Sequence, residues 1–121
     1  LAEALTNSNQ PAKAQALLKP LTDQQPSDRY AWQSLQLANE KIAKTTESPQ
    51  LAKIATINAL RYRSHDQLWS GRYERALTSL TQAKQLTEQM QKTAQASSAR
   101  PLLANINAEI KAVKTAKDFK P

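Results

Sequence analysis

A single glycine, Gly71, serves the whole 121-residue chain. β-Hairpins and phosphate-cradling loops need glycine wherever the backbone must take positive φ or approach a ligand closely. A chain with one such position cannot build a many-turned β-sandwich or a phosphate-binding α/β sheet. The sequence instead holds 20 Ala and 13 Gln, both good helix residues. Hydrophobic residues make up 40% of the chain but aromatic ones only 5%, so a core must be built mostly from Leu, Ile and Ala. The expectation is one all-α domain over residues 1–121.

Turn signals divide the chain into about six helices. Leu1 to about Asn7 reads as the last part of a helix, and Asn7-Ser8-Asn9-Gln10-Pro11 as a turn. Pro11 suits a first helical position, and Ala14, Leu17, Leu18 and Leu21 follow a 3.6-residue period up to Gln24. Pro20 should kink that helix or strain its last turn. A second segment runs from about Asp28 to Lys44 with Trp32, Leu35, Ala38 and Ile42 on its apolar stripe. Ser48 and Pro49 form a cap and first turn for a long helix that Gly71 ends. Another helix runs from Arg72 to about Ala96, buried along Leu77, Leu80, Ala83, Leu86 and Met90. A break is expected at residues 96–101, followed by a last helix from Pro101 to Ala116. The short connections predict antiparallel neighbours.

The side chains exclude most chemistry. There is no Cys and one His, with no HExxH and no paired-His spacing. Thiol nucleophiles, disulfides and multi-imidazole zinc sites are therefore out of reach. His65 and Asp66 are adjacent, but neighbours on a helix point about 100° apart and cannot form an acid–base pair with each other. No catalytic residue, metal ligand or cofactor is expected. The net charge is +7, spread along the chain, which favours a solvated basic surface over nucleic-acid binding. Arg61, Arg63, Arg72, Arg75 and Arg100 form a basic set that reads as solvated surface or as a site for an acidic segment. No apolar run approaches the ~20 residues of a membrane span. No signal peptide is evident, and the opening LAEAL reads as a helix interior, so the chain is expected to be a fragment of a longer polypeptide.

Two segments share one set of offsets. Asn9, Ala14, Leu18 and Leu21 repeat as Gly71, Ala76, Leu80 and Ala83: turn residue, small residue, Leu, then an apolar residue. Leu1, Ala2 and Leu5 precede the first set and Leu60 the second, and Pro26 closes the first. Trp32 and Leu35 match the opening of a repeat between them. This resembles the tetratricopeptide repeat, whose period is about 34 residues. Asn9 and Gly71 are 62 residues apart, so the middle repeat is irregular and the Pro49–Ser70 helix must serve both neighbours. The order LLKPLTDQQPSD, YAWQSL, WSGRYERALTSLTQAKQL and LLANINAEIKAV is similar to the C-terminal tail of bacterial periplasmic zinc metalloproteases of the BepA-like class. The resemblance implies a tetratricopeptide-like α-solenoid, a Gram-negative periplasmic location and a role in outer-membrane protein quality control. It implies that zinc belongs to a separate protease domain. The partners it implies are that domain and a partner protein or an unfolded outer-membrane protein.

The long helix carries the most information. Leu51, Ile54, Ile57, Leu60, Tyr62, Leu68 and Trp69 cover a wide apolar arc, with Thr56, Arg63, Asp66 and Gln67 opposite. Asn58, Arg61 and His65 fall inside the apolar arc. A cation there is costly unless it is paired or faces a groove. The resemblance places Asn58, Arg61, His65 and Trp69 at groove-lining offsets, with Tyr30, Gln33, Leu37 and Lys41 at the same offsets one repeat earlier. Those eight residues are the expected peptide groove. Trp32 and Trp69 read more simply as packing residues. The alternatives are a free-standing scaffold or lipoprotein repeat domain, a basic helical nucleic-acid binder, and a tail that only buttresses or occludes the protease.

Overall fold

The computed structural model describes residues 10–93 and 96–119. They form five helices: α1 (Pro11–Gln24), α2 (Arg29–Thr45), α3 (Pro49–Trp69), α4 (Tyr73–Gln91) and α5 (Ala96–Asp118). The described residues contain no strand. The expected helix at Leu1–Asn7 lies outside the described residues, so five helices stand where about six were expected.

Local chemistry sets most of the boundaries. Asp28 caps α2 by accepting from the Ala31 N–H at 3.3 Å, and Ser48 caps α3 by accepting from the Leu51 N–H at 3.3 Å. Pro49 follows at the first position of α3, where its missing donor costs nothing. Gly71 has φ 77°. The Arg72 N–H reaches the Gln67 carbonyl at 2.8 Å, and the Gly71 N–H reaches that of Leu68 at 3.1 Å. This is a Schellman closure, and its left-handed residue favours glycine. In α1 the helix runs past Pro20 to Gln24.

The expected break at 96–101 is displaced. Helix α4 ends at Gln91 and α5 begins at Ala96, so Pro101 lies inside α5 rather than opening it. Proline in a helix removes one hydrogen bond. The packing explains the outcome, because Ala99, Ile106 and Val113 are all buried and stand seven residues apart on one face. Starting the helix at Pro101 would forfeit the Ala99 contact.

Each helix packs chiefly on its sequence neighbours. Cross-helix pairs show the neighbours antiparallel: Gln15 meets Asn39, Gln33 meets Asp66, and Gln67 meets Ser79. Two hydrophobic clusters result. Leu18, Ala31, Trp32 and Leu35 form one, with Tyr62 against it. The other joins Ile57, Ala76, Leu80, Ala83, Met90, Ala99, Ile106 and Val113. Helix α3 contributes to both, through Tyr62 and Ile57. Full burial of a side chain such as Leu35 or Ile57 stabilises by roughly 1.5–3 kcal/mol.

A β-carbon at Gly71 would meet no atom within 4 Å, so the glycine is needed for its backbone conformation alone. Gly71→Val is expected to cost ~1 kcal/mol or more, measured by urea denaturation. An unchanged midpoint would show that the turn tolerates another geometry.

Candidate functional site

Two of the residues singled out on α3 converge on one carboxylate, and a third supports one of them. Asn58, Arg61 and His65 lie one turn apart, and Glu109 of α5 projects between the last two. Arg61 Nε donates to Glu109 Oε1 at 2.7 Å, and Arg61 Nη1 to Asn58 Oδ1 at 3.1 Å. His65 Nε2 lies 2.5 Å from Glu109 Oε2. An ionised carboxylate only accepts, so Nε2 carries the hydrogen in this contact. The side chains of Arg61 and Glu109 are 17% and 14% exposed. Arg61 is therefore a part-buried, paired cation and not an open groove residue. The polar breaks in the apolar arc of α3 meet a polar break in the apolar face of α5.

Glu109 feels opposing effects. Burial alone would raise its pKa. The hydrogen bond from His65 and the Arg61 charge outweigh burial and hold it below the ordinary carboxylate value. The Tyr62 hydroxyl is pushed up, mainly by burial, with Arg61 opposing and Glu109 reinforcing the rise. From the α2 side, the Trp32 ring stacks on His65 at 4.1 Å and on Tyr62 at 6.0 Å between centroids. Trp32 Nε1 donates to the Pro26 carbonyl at 2.6 Å, which fixes the indole. Asp66 turns away from His65, as the helical geometry requires, and accepts from Arg29 at 2.9 Å and Gln33 at 3.1 Å.

The eight expected groove residues do not form one lining. Trp32, from outside the eight, covers His65. Gln33 turns to Asp66, Tyr30 and Leu37 are exposed, and Lys41 is half-buried. Trp69 is 47% exposed at the end of α3. The reason is rotational. Helix α2 buries Trp32 and Leu35, and that choice swings residues 30, 33 and 37 outward. Trp32 packs as its place on the apolar stripe of α2 implies, whereas Glu109 is a member of the site that the sequence reading does not name. The signal for Glu109 was available, since it stands three residues after Ile106 and four before Val113 on their apolar face.

The chemistry of this centre is limited. His65 and Glu109 form a histidine–carboxylate dyad beside a cavity of about 170 Å³. The hydroxyl next to it, Ser64 Oγ, donates to the Arg61 carbonyl at 2.5 Å. Among the described residues no three His, Cys, Asp or Glu side chains group as metal ligands.

The larger openings lie on the opposite flank of α3. A cavity of about 410 Å³ is walled by α2 and α3 and includes Glu40, Thr56, Leu60 and Arg63. A second, of about 380 Å³, shares Gln36 and Arg63 with it and reaches Gln67, Arg72 and Arg75. A third, of about 250 Å³, shares Thr56 and extends to Leu86 and Met90 of α4. Together they make a furrow along α3, between α2 and α4.

Removing Arg61 leaves Glu109 part-buried without its main counter-charge. Arg61→Ala should therefore destabilise by roughly 3–5 kcal/mol, read by chemical denaturation. Because the folded-state pKa of Glu109 is depressed, its contribution is present above the ordinary glutamate value of ~4.3. It is lost as the pH falls below that value through the folded one. Glu109→Gln should accordingly flatten the melting temperature against pH on the acid side. An unchanged acid limb would show that other carboxylates govern it.

In comparisons with known proteins, no family model, no curated protein and no solved structure matches this chain significantly.

Proposed function

We propose that this chain is a non-catalytic protein-interaction module that holds an extended segment of a partner protein. The observation that carries the reading is the furrow along α3. Helices that pack mainly on their sequence neighbours leave a channel between next-but-one helices, here α2 and α4. Its walls carry apolar side chains such as Ala59, Leu60, Leu86 and Met90 on either side of Thr56 and are polar throughout towards Arg72 and Arg75, so it offers both apolar surface and hydrogen-bonding groups. A peptide in such a channel would gain apolar burial and side-chain hydrogen bonds together.

The resemblance of the sequence to tetratricopeptide tails supports a narrower form of the proposal. In that form the module is part of a periplasmic zinc metalloprotease, and the bound segment belongs to a partner or to an unfolded outer-membrane protein. Zinc would sit in the separate protease domain, because the single histidine of this chain is engaged by Glu109 and Trp32. The narrower form requires an HExxH helix elsewhere in the same polypeptide. A gene product without one would sink it and leave the interaction reading standing.

A photo-cross-linking residue at Thr56, which borders two of the three cavities, should capture a partner protein in the native cell. The same residue at Lys111, exposed on α5, should not. Equal capture at the two positions, or none at Thr56, would count against the furrow as the binding surface.

A further inference from the structure

The two ends of the furrow differ in character. Around Thr56 the walls include Ala43, Ala59, Leu60 and Met90. At the other end stand Arg63, Arg72 and Arg75. Among the described residues none of these three guanidinium groups has a carboxylate or hydrogen-bond partner. The one carboxylate on that wall, Asp66, is already engaged by Arg29 and Gln33. Three like charges around one cleft repel one another, and an anion between them would relieve that repulsion.

A second observation points the same way. Gln67 lines this cleft and is only 9% exposed. Its Oε1 accepts from Ser79 Oγ at 2.8 Å, but its Nε2 donates to nothing among the described residues. A buried amide donor without an acceptor is unusual and calls for a partner. The first turn of α4 adds a third element. Arg72 stands at its N-cap position with no side-chain cap, and Glu74 of the first turn is paired with Lys117 of α5, so no side chain caps the positive end of that helix beside the cleft.

The walls also discriminate between kinds of anion. Among the described residues no aromatic side chain lines any of the three cavities, so these give a nucleobase no platform on which to stack. Beyond Arg63 the wall carries Glu40 beside Lys44, so the charge that a continuing phosphate chain would need is cancelled there. A polypeptide can change from acidic to apolar within a few residues, and that is the change the furrow presents.

We infer that the Arg63–Arg72–Arg75 end of the furrow binds the carboxylates of an acidic stretch in the partner protein, with adjoining apolar side chains lying over Thr56. Arginine forks suit carboxylates in this role. The inference rests on the proposed interaction function and specifies its partner chemistry.

The test uses the whole chain, isotopically labelled, titrated with synthetic peptides and followed by NMR. One peptide has an apolar half and a glutamate-rich half, and its control replaces every glutamate with glutamine. The glutamate peptide should shift the Gln67 side-chain amide and bind more tightly than the control. Arg63→Gln, Arg72→Gln and Arg75→Gln should each weaken it about three- to fivefold, and the triple variant should lose the preference for glutamate. Among the described residues these arginines have no ion-pair or hydrogen-bond partner, so the variants should melt like the parent. Equal binding of both peptides in the furrow would overturn the acidic preference while leaving the interaction function intact. Absence of any shift at Gln67, or tighter binding of an RNA oligonucleotide at the same residues, would overturn the inference itself.

Discussion

Among the described residues helix α3 is the one element shared by two hydrophobic clusters, and the rest of the architecture follows from that double duty. Tyr62 belongs to the cluster of α1 and α2, and Ile57 to the cluster of α4 and α5. A helix packed on both sides cannot be amphipathic in the simple sense, because its apolar residues must point in several directions. That is why its apolar arc is wide and why polar side chains interrupt it. It is also why a furrow can exist, since α2 and α4 are held apart by the width of the helix between them.

The Glu109 centre solves a particular problem in this arrangement. Helix α5 packs on α4, yet its carboxylate reaches α3 and gathers Arg61 and His65 there. Such a part-buried pair adds modest net stability, because desolvation offsets much of the attraction. Its value lies in geometry. A carboxylate that must meet a guanidinium at 2.7 Å and an imidazole at 2.5 Å fixes the rotation and the register of α5 relative to α3. Apolar contacts alone, such as those of Ala99 or Val113, tolerate sliding far better.

Helix ends were legible because their determinants are local. Asp28, the Ser48–Pro49 pair and Gly71 each act within a few residues of their own position. The all-helical class followed from one glycine and many alanines. Pro101 misled because a local rule lost to a non-local one: Ala99, Ile106 and Val113 share one buried face, and the helix extends back to keep it. The groove was misplaced for a related reason. Sequence offsets fix which residues share a face of α2 but not how far α2 is rotated against α3, and the burial of Trp32 decided that rotation. The partner of Arg61 lies 48 residues away, beyond the reach of any spacing rule, although a lone carboxylate on the apolar face of α5 was a visible clue. The clustering of Arg63, Arg72 and Arg75 was half legible, as a basic set whose members could be named but not brought together.

The two tryptophans occupy opposite extremes of environment. Trp32 is 8% exposed and lies flat on an imidazole, whereas Trp69 is 47% exposed. A buried indole stacked on an imidazole emits at shorter wavelength than a half-solvated one, and its emission depends on that contact. The intrinsic fluorescence of this chain is thus two-coloured. Its short-wavelength part reports whether α2 still rests on α3, and its long-wavelength part records whatever approaches the far end of α3. The fold carries its own optical label for each event.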